Sequence, residues 1–146
     1  MNPKVILLVE DNPSDIDLTK RALERSRVAN VLVVARDGQE ALEYLFGTSP
    51  TTGPGRLPEL VLLDLKLPKV DGHEVLRRIR ADPHTRRVPV VIMTTSKEDQ
   101  DVAQSYDLGA NSYIRKPVDF TQFAGAVEQL GLYWLVMNEP PPTTVQ

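Results

Sequence analysis

The chain has 146 residues, of which 41% are hydrophobic and 25% charged, with a formal net charge of −3 and no cysteine. This length fits one domain with a single core. The sequence has no block of lysines and arginines, so it does not favour direct binding to nucleic acid, which requires clustered cations. It also has no apolar run of about 18 residues and no leader-like segment. We therefore expect a cytoplasmic protein that neither crosses nor binds a membrane.

Five short apolar runs, bounded by turn residues, have the length and composition of strands buried in a parallel sheet. They cover residues 5–9, 31–35, 60–68, 88–93 and 111–117. In the third run we expect the strand to end at Asp64, ahead of Pro68. The segment 47–58, rich in threonine, glycine and proline, is predicted to be a surface loop.

Helix signals alternate with these runs. Asn12 is placed to cap a helix that begins at Pro13, and Asp37 with Glu40 has the spacing of a capping box. A third helix is predicted over 72–81. The first helix has one inward side, formed by Ile16, Thr19 and Leu23. This alternation predicts an α/β protein with a doubly wound parallel sheet and helices on both faces.

The fourth predicted helix is largely polar. It begins near Lys97, with Ser96 as its cap, and Gly109 ends it. Its apolar side consists of Val102, Tyr106 and Ala110. Because this side is narrow, we expect the helix to pack weakly on the sheet.

The fifth predicted helix begins at Asp119 and has a continuous core stripe. Beyond the stripe, Leu132, Tyr133 and Val136 make the end of the helix apolar nearly all round. An apolar patch of this kind favours a homodimer through the C-terminal helix, and docking of the tail of the same chain is the alternative. We assign residues 1–138 to one domain with an extended last helix and residues 139–146 to a proline-rich tail.

Polar side chains follow the predicted strands where each strand ends. In chain order they are Glu10, Asp11, Asp64, Thr94 and Lys116. Carboxyl ends of parallel strands share the sheet edge where ligands bind, although a single acid there is as often a helix cap. Three neighbouring carboxylates need a cation, and hard oxygen ligands suit Mg²⁺. Asp64 is then the candidate nucleophile for an acyl phosphate, with Thr94 and Lys116 contacting phosphoryl oxygens.

In this order and spacing, Glu10-Asp11, Asp64, Thr94 and Lys116-Pro117 resemble the receiver domain of bacterial two-component response regulators. The resemblance extends from residue 4 to about residue 131. It implies a flavodoxin-like fold with strand order 2-1-3-4-5. It also implies that a histidine kinase transfers a phosphoryl group to Asp64.

The resemblance further implies roles for particular residues. The implied ligand set for Mg²⁺ is Asp11, Asp64, the backbone carbonyl of Lys66 and, through water, Glu10. On phosphorylation Thr94 would move toward the phosphoryl group while Tyr113 turns inward. The Lys116–Pro117 peptide bond would be cis.

Longer motifs are similar to those of single-domain regulators paired with bacterial and cyanobacterial phytochromes. They comprise Leu8–Pro13, Leu63–Gly72, Thr94–Ser96 and Tyr133-Trp134. This similarity implies a phytochrome-type histidine kinase, a bacteriophytochrome, as the partner. Lys66 departs from the pattern, because those regulators often have a neutral polar residue at that position.

Other classes that use related chemistry or topology fit less well. A haloacid-dehalogenase-type phosphatase needs a second aspartate two residues after the nucleophile, where this chain has Lys66. A phosphorylation-independent scaffold would be expected to lack one of the acids or the lysine. A flavodoxin-like cofactor carrier would need an aromatic-flanked phosphate loop. We therefore predict a signalling protein rather than an enzyme, with at most slow self-dephosphorylation.

Overall fold

The structure is a computed structural model that describes residues 4–24, 30–47, 55–96, 98–116 and 125. The strands are Lys4–Val9 (β1), Asn30–Ala35 (β2), Leu60–Leu63 (β3), Val90–Thr94 (β4) and Ser112–Arg115 (β5). The helices are Pro13–Glu24 (α1), Gly38–Phe46 (α2), Gly72–Ala81 (α3) and Asp99–Asp107 (α4). Within these ranges no helix is long and apolar enough to span a bilayer.

The five strands form one parallel sheet in the order β2-β1-β3-β4-β5, as predicted. The chain leaves β1 toward β2 and then returns to place β3 on the other side of β1. The strand order therefore reverses between β1 and β3. In open α/β sheets, the crevice at this reversal, beyond the carboxyl ends of the strands, is where ligands bind.

Helices cover both faces of the sheet, which confirms the predicted architecture. Apolar residues of α2 and α3 pack with one set of strand side chains, including Val61 and Ile92, in one core cluster. On the opposite face, Ile16 and Leu23 of α1 pack against the other set, including Leu62. The predicted inward side of α1 is confirmed, since Ile16, Thr19 and Leu23 are all buried.

Side-chain oxygens cap three of these helices, and the caps at Asn12 and Asp37 confirm predictions from the sequence. Asn12 Oδ1 accepts hydrogen bonds from the first backbone N–H groups of α1, those of Ser14 and Asp15. Asp37 caps α2 by accepting from the N–H of Glu40 at 2.8 Å. Asp71 caps α3 in the same way. These caps satisfy backbone donors at the edge of the sheet where the predicted site lies.

Two predictions for α4 are wrong. Glu98, rather than Ser96, occupies the N-cap position, and it makes no side-chain cap hydrogen bond. Ser96 Oγ instead donates to Asp101 Oδ2 at 2.6 Å. Tyr106, which was predicted to face the core, is 49% exposed. The residue that faces inward is Ser105, and consecutive helical residues point about 100° apart.

The prediction of weak packing for α4 is confirmed. Among its described side chains only Ser105 is buried. The helix is held instead by polar contacts: Ser105 Oγ lies 3.0 Å from His73 Nε2 of α3, and it donates to the carbonyl of Asp101 at 2.7 Å. Gly109, with a φ of 101°, follows the helix.

Several predictions fall on residues outside the described ranges. They are the helix from Asp119, apart from the helical residue Gly125, the patch at 132–136, the tail at 139–146 and the Lys116–Pro117 peptide bond.

Candidate functional site

Three carboxylates meet where β1 and β3 end. Glu10 and Asp11 follow β1 directly, and Asp64 follows β3. The backbone N–H of Asp64 donates to the carbonyl of Val9, the last residue of β1, at 3.1 Å. One carboxylate oxygen from each of the three acids lies within 4.8 Å of the others. Glu10 is buried, Asp64 is half-buried and Asp11 is exposed. The group therefore reaches from the protein interior to solvent, with Asp64 between.

Lys116 brings a positive charge to these carboxylates from the end of β5. Its backbone N–H donates to the carbonyl of Thr94 at 2.8 Å, which fixes the start of the side chain at the sheet edge. Its Nζ atom contacts Glu10 Oε1, Asp15 Oδ2 at 2.8 Å and Asp64 Oδ2 at 3.1 Å. The lysine side chain is only 6% exposed. The structure thus joins the predicted residues Glu10, Asp64 and Lys116.

Asp15 was not predicted to belong to the site. It lies in the first turn of α1. An acid is common there, because it interacts favourably with the positive end of the helix dipole. The available signal was its position within one turn of the Asn12 cap, which places it at the same edge of the sheet as the strand ends. Helix propensity alone does not distinguish these two roles.

Burial and neighbouring charges shift the pKa values of Glu10 and Lys116. Burial raises the pKa of Glu10 to about 7, and the charge of Asp64 adds to this effect, although Lys116 opposes it. For Lys116 burial alone would lower the pKa, but the hydrogen bonds to Asp15 and Glu10 and the charge of Asp64 raise it above its usual value. The two shifts therefore have different causes: burial dominates for Glu10, whereas the neighbouring carboxylates raise the pKa of Lys116.

The pKa of Glu10 predicts how the stability of the metal-free protein depends on pH. The usual pKa of a glutamate is 4.5, and that of Glu10 in the folded protein is about 7. Between these two pH values, Glu10 binds a proton in the folded protein but not in the unfolded chain. Stability should therefore rise as the pH falls through this window and be lost as the pH rises through 7. The expected change is on the order of 3 kcal/mol, because a pKa unit corresponds to about 1.4 kcal/mol.

Urea unfolding in the presence of EDTA, at pH 5 to pH 7.5, measures this dependence. The Glu10→Gln variant keeps a hydrogen-bond acceptor for Lys116 but has no titrating group, and its stability should change less over the same range. If the free energy of unfolding changed with pH equally in the two proteins, a group other than Glu10 would be responsible.

Thr94 and Tyr113 lie beside the site, and both hydroxyl groups bond to the backbone of Ser96. Thr94, the last residue of β4, is buried, and its Oγ1 atom accepts from the N–H of Ser96 at 3.4 Å. Tyr113 is half-buried, and its hydroxyl donates to the carbonyl of Ser96 at 3.2 Å. The two predicted switch residues are therefore joined through one loop residue, which is itself bonded to α4 through Asp101.

Two glycines allow the loop after β3 to approach neighbouring backbone closely. A Cβ atom on Gly72 would lie 2.2 Å from the carbonyl oxygen of Asp64, and one on Gly38 would lie 1.8 Å from that of Val70. Gly72 N–H also donates to the carbonyl of Leu65 at 2.8 Å. The N-termini of α2 and α3 thus fix the path of the chain on both sides of Lys66.

The loop after β3 forms one wall of an open cleft of about 500 Å³. The cleft is lined by Asp11, residues 65–68, Asp71, His73 and Asp101. The side chain of Lys66 is exposed. A ligand in the cleft would therefore reach the carboxylate of Asp11 and the loop that carries Lys66.

Comparison with known proteins identifies the family. The model of the response regulator receiver domain matches residues 6–128, and the chain belongs to this family. This match confirms the resemblance found in the sequence.

Individual relatives are similar over nearly the whole chain. The probable methanogenesis regulatory protein FilR2 of Methanothrix harundinacea is 45% identical over 96% of this chain and 89% of its own length. Response regulator Rcp1 of Synechocystis is 41% identical over 91% of this chain and 90% of its own. The Mn²⁺-bound structure of Rcp1 superposes with a TM-score of 0.87 over 96% of this chain and all of that chain, at 39% identity.

The phosphorylated cyanobacterial phytochrome response regulator RcpA is also similar in structure. Its crystal structure has a TM-score of 0.88 and 41% identity, and the match covers 97% of this chain and 100% of that chain. Among the similar proteins, therefore, are response regulators of phytochrome systems.

Proposed function

We propose that this receiver domain accepts a phosphoryl group on Asp64 from a histidine kinase in a Mg²⁺-dependent reaction, and that the phosphorylated form signals through its surface. The observation that carries the proposal is the setting of Asp64. Its carboxylate stands at the end of the central strand β3, in contact with the ammonium of Lys116 and close to the acids Glu10 and Asp11. The protein would be a signalling switch and not an enzyme.

The acids present fit a hard divalent cation. Their charge exceeds that of Lys116, and their donor atoms are carboxylate oxygens. Asp11, Asp64 and the backbone carbonyl of Lys66 would hold the ion, with Glu10 acting through water. When bound, Mg²⁺ supplies positive charge that neutralises the carboxylates and the phosphoryl oxygens. The Mn²⁺-bound structure of the similar protein Rcp1 supports the proposal of a divalent cation.

Asp64 would act as the nucleophile. An oxygen of its carboxylate forms a bond to phosphorus as the bond from phosphorus to the nitrogen of the kinase histidine breaks, and the imidazole retains that electron pair and takes up a proton. The N–H of Leu65 donates to Asp64 Oδ1 at 2.7 Å and so limits rotation of the carboxylate. The ammonium of Lys116 stands 3.1 Å from Oδ2, where it can bind the transferred group.

The hydroxyl contacts around Ser96 offer a route from the phosphoryl group to the surface. If Thr94 turns its hydroxyl toward the phosphoryl group, Ser96 loses the hydrogen bond at its N–H. The same residue accepts from Tyr113 and donates to Asp101 of α4, so a change there reaches β5 and α4. Because α4 buries little apolar surface, its displacement should cost little free energy.

The proposed partner is a phytochrome-type histidine kinase, a bacteriophytochrome. The similarity to RcpA and Rcp1 over almost the full chain supports this class of kinase.

Labelling with acetyl phosphate and Mg²⁺ tests the proposed function. A receiver should take up one phosphoryl group per chain and keep it long enough to be detected by intact-protein mass spectrometry. Continuous release of phosphate would indicate a phosphatase instead. No uptake, with the protein folded, would indicate a phosphorylation-independent scaffold and would contradict the proposal.

We also propose a homodimer through α4, β5 and the C-terminal helix. Tyr106 of α4 is half-exposed, and large aromatic side chains are enriched at interfaces. Sedimentation at micromolar concentration, with and without beryllofluoride, should show a species twice the chain mass in at least one condition. The double change Leu132→Asp and Val136→Asp should dissociate it. A 16.3 kDa species in both conditions would rule out the dimer.

A further inference from the structure

The carboxylate of Asp15 touches the site but has no part in the reaction as proposed so far. Its Oδ2 atom accepts from Lys116 Nζ at 2.8 Å. Among the described residues, the acids grouped closely enough to share a metal ion are Glu10, Asp11 and Asp64, without Asp15. Asp15 therefore contacts the lysine from outside the group that would hold the metal.

An ammonium group has three N–H bonds, and Lys116 directs them to three carboxylates. These belong to Glu10, Asp15 and Asp64. Since the lysine side chain is almost fully buried, water competes little for these positions. Of the three acceptors, only Asp64 would change its bonding when a phosphoryl group is transferred. Glu10 and Asp15 are then the two contacts that remain to hold the ammonium group.

The first turn of α1 makes Asp15 a firm anchor. Its N–H donates to Asn12 Oδ1 at 3.2 Å, and its carbonyl accepts from Thr19 Oγ1 at 2.8 Å. The adjacent Ile16 is buried in the core against the sheet. Lysine, in contrast, has a long flexible stem whose end takes the position that its partners impose.

On the basis of the phosphotransfer function proposed above, we infer that Asp15 is a positioning residue for Lys116. By holding one N–H bond on the α1 side, it keeps the ammonium group directed at the phosphoryl oxygens on Asp64. Without Asp15, the lysine can turn toward Glu10 and the rest of the acid group, and its donation to the transferred group weakens. Asp15 would thus act on the reaction through Lys116 and not through the metal.

The first test is the initial rate of phosphoryl uptake from acetyl phosphate at a Mg²⁺ concentration that saturates the wild type. Asp15→Ala should lower the rate about tenfold, a size typical of losing one coupled contact to a reacting group. The control is Asp17→Ala, which removes an exposed acid from the same helix, paired with Arg21, and should leave the rate unchanged. If higher Mg²⁺ restores the rate of Asp15→Ala, the residue acts on the metal, and the positioning role is wrong.

A double-mutant cycle separates positioning from a structural role. In a Lys116→Ala background, Asp15→Ala should cause no further loss, because the group that it positions is absent. An equal loss in both backgrounds would mean that Asp15 acts through the fold or the local charge, which would overturn the inference. Thermal unfolding of the four proteins shows whether each remains folded.

A metal-free measurement gives an independent readout. In ¹H–¹⁵N spectra the ammonium protons of Lys116, assigned by their loss in Lys116→Ala, should exchange with water faster in Asp15→Ala than in the wild type. Unchanged exchange would contradict the restraint. A wild type that takes up no phosphoryl group would overturn the proposed function and this role together. Normal uptake by both wild type and Asp15→Ala would overturn the positioning role alone.

Discussion

Replacing Asp64 with asparagine should abolish phosphoryl uptake from acetyl phosphate while leaving the protein folded. The amide is nearly the same shape and still accepts the hydrogen bond from the N–H of Leu65, but it lacks the anionic oxygen that attacks phosphorus. The measurement is intact-protein mass after incubation with acetyl phosphate and Mg²⁺. We expect the wild type to gain one phosphoryl group and Asp64→Asn to gain none.

Asp71→Asn is the matched control for this experiment. Asp71 lines the cleft that Asp11 also lines, and it caps α3 through a hydrogen bond from the N–H of Glu74, which asparagine can also accept. This variant should be labelled like the wild type. Full labelling of Asp64→Asn would place the acceptor elsewhere, and acid-stable label would point to a residue that is not an aspartate.

The parts of the site that follow directly from strand ends could be predicted from the sequence. A parallel sheet brings the carboxyl ends of its strands to one edge, so a polar residue just after an apolar run has a defined location. Glu10, Asp64 and Lys116 could be grouped on this basis, and the structure brings them into contact. Their roles in phosphotransfer remain predictions.

Residues whose location depends on helix rotation or on neighbours distant in sequence could not be predicted as well. The apolar pattern of α4 predicts that Tyr106 faces inward, but a helix with so few apolar residues is oriented by polar contacts such as that between Ser105 and His73. These two residues are 32 positions apart, and no local pattern links them. The contact of Asp15 could not be predicted for a similar reason, since its partner Lys116 is 101 positions away.

Arg80 is another residue that the sequence did not single out. It lies near the end of α3 and is half-buried, and burial lowers the pKa of its guanidinium. Its nitrogens donate to the carbonyls of Arg86, Val88 and Gly109 and to Asn111 Oδ1. One side chain thus joins the segment after α3 to the turn between α4 and β5, at the edge of the sheet where α4 has little apolar packing.

The Arg80→Ala variant should therefore lose about 2–3 kcal/mol of unfolding free energy, the size expected when partly buried carbonyl groups lose charged hydrogen-bond donors. Arg80→Lys should recover little of this loss, because an ammonium group cannot reproduce the planar fork of donors. Arg78→Ala removes an exposed arginine of the same helix, paired with Glu74, and should have little effect. Urea unfolding of the four proteins measures these differences. If Arg80→Ala were no less stable than Arg78→Ala, the contacts of Arg80 would not hold α4 and β5 in place, and α4 would have to be anchored by its contacts with His73 and Ser96.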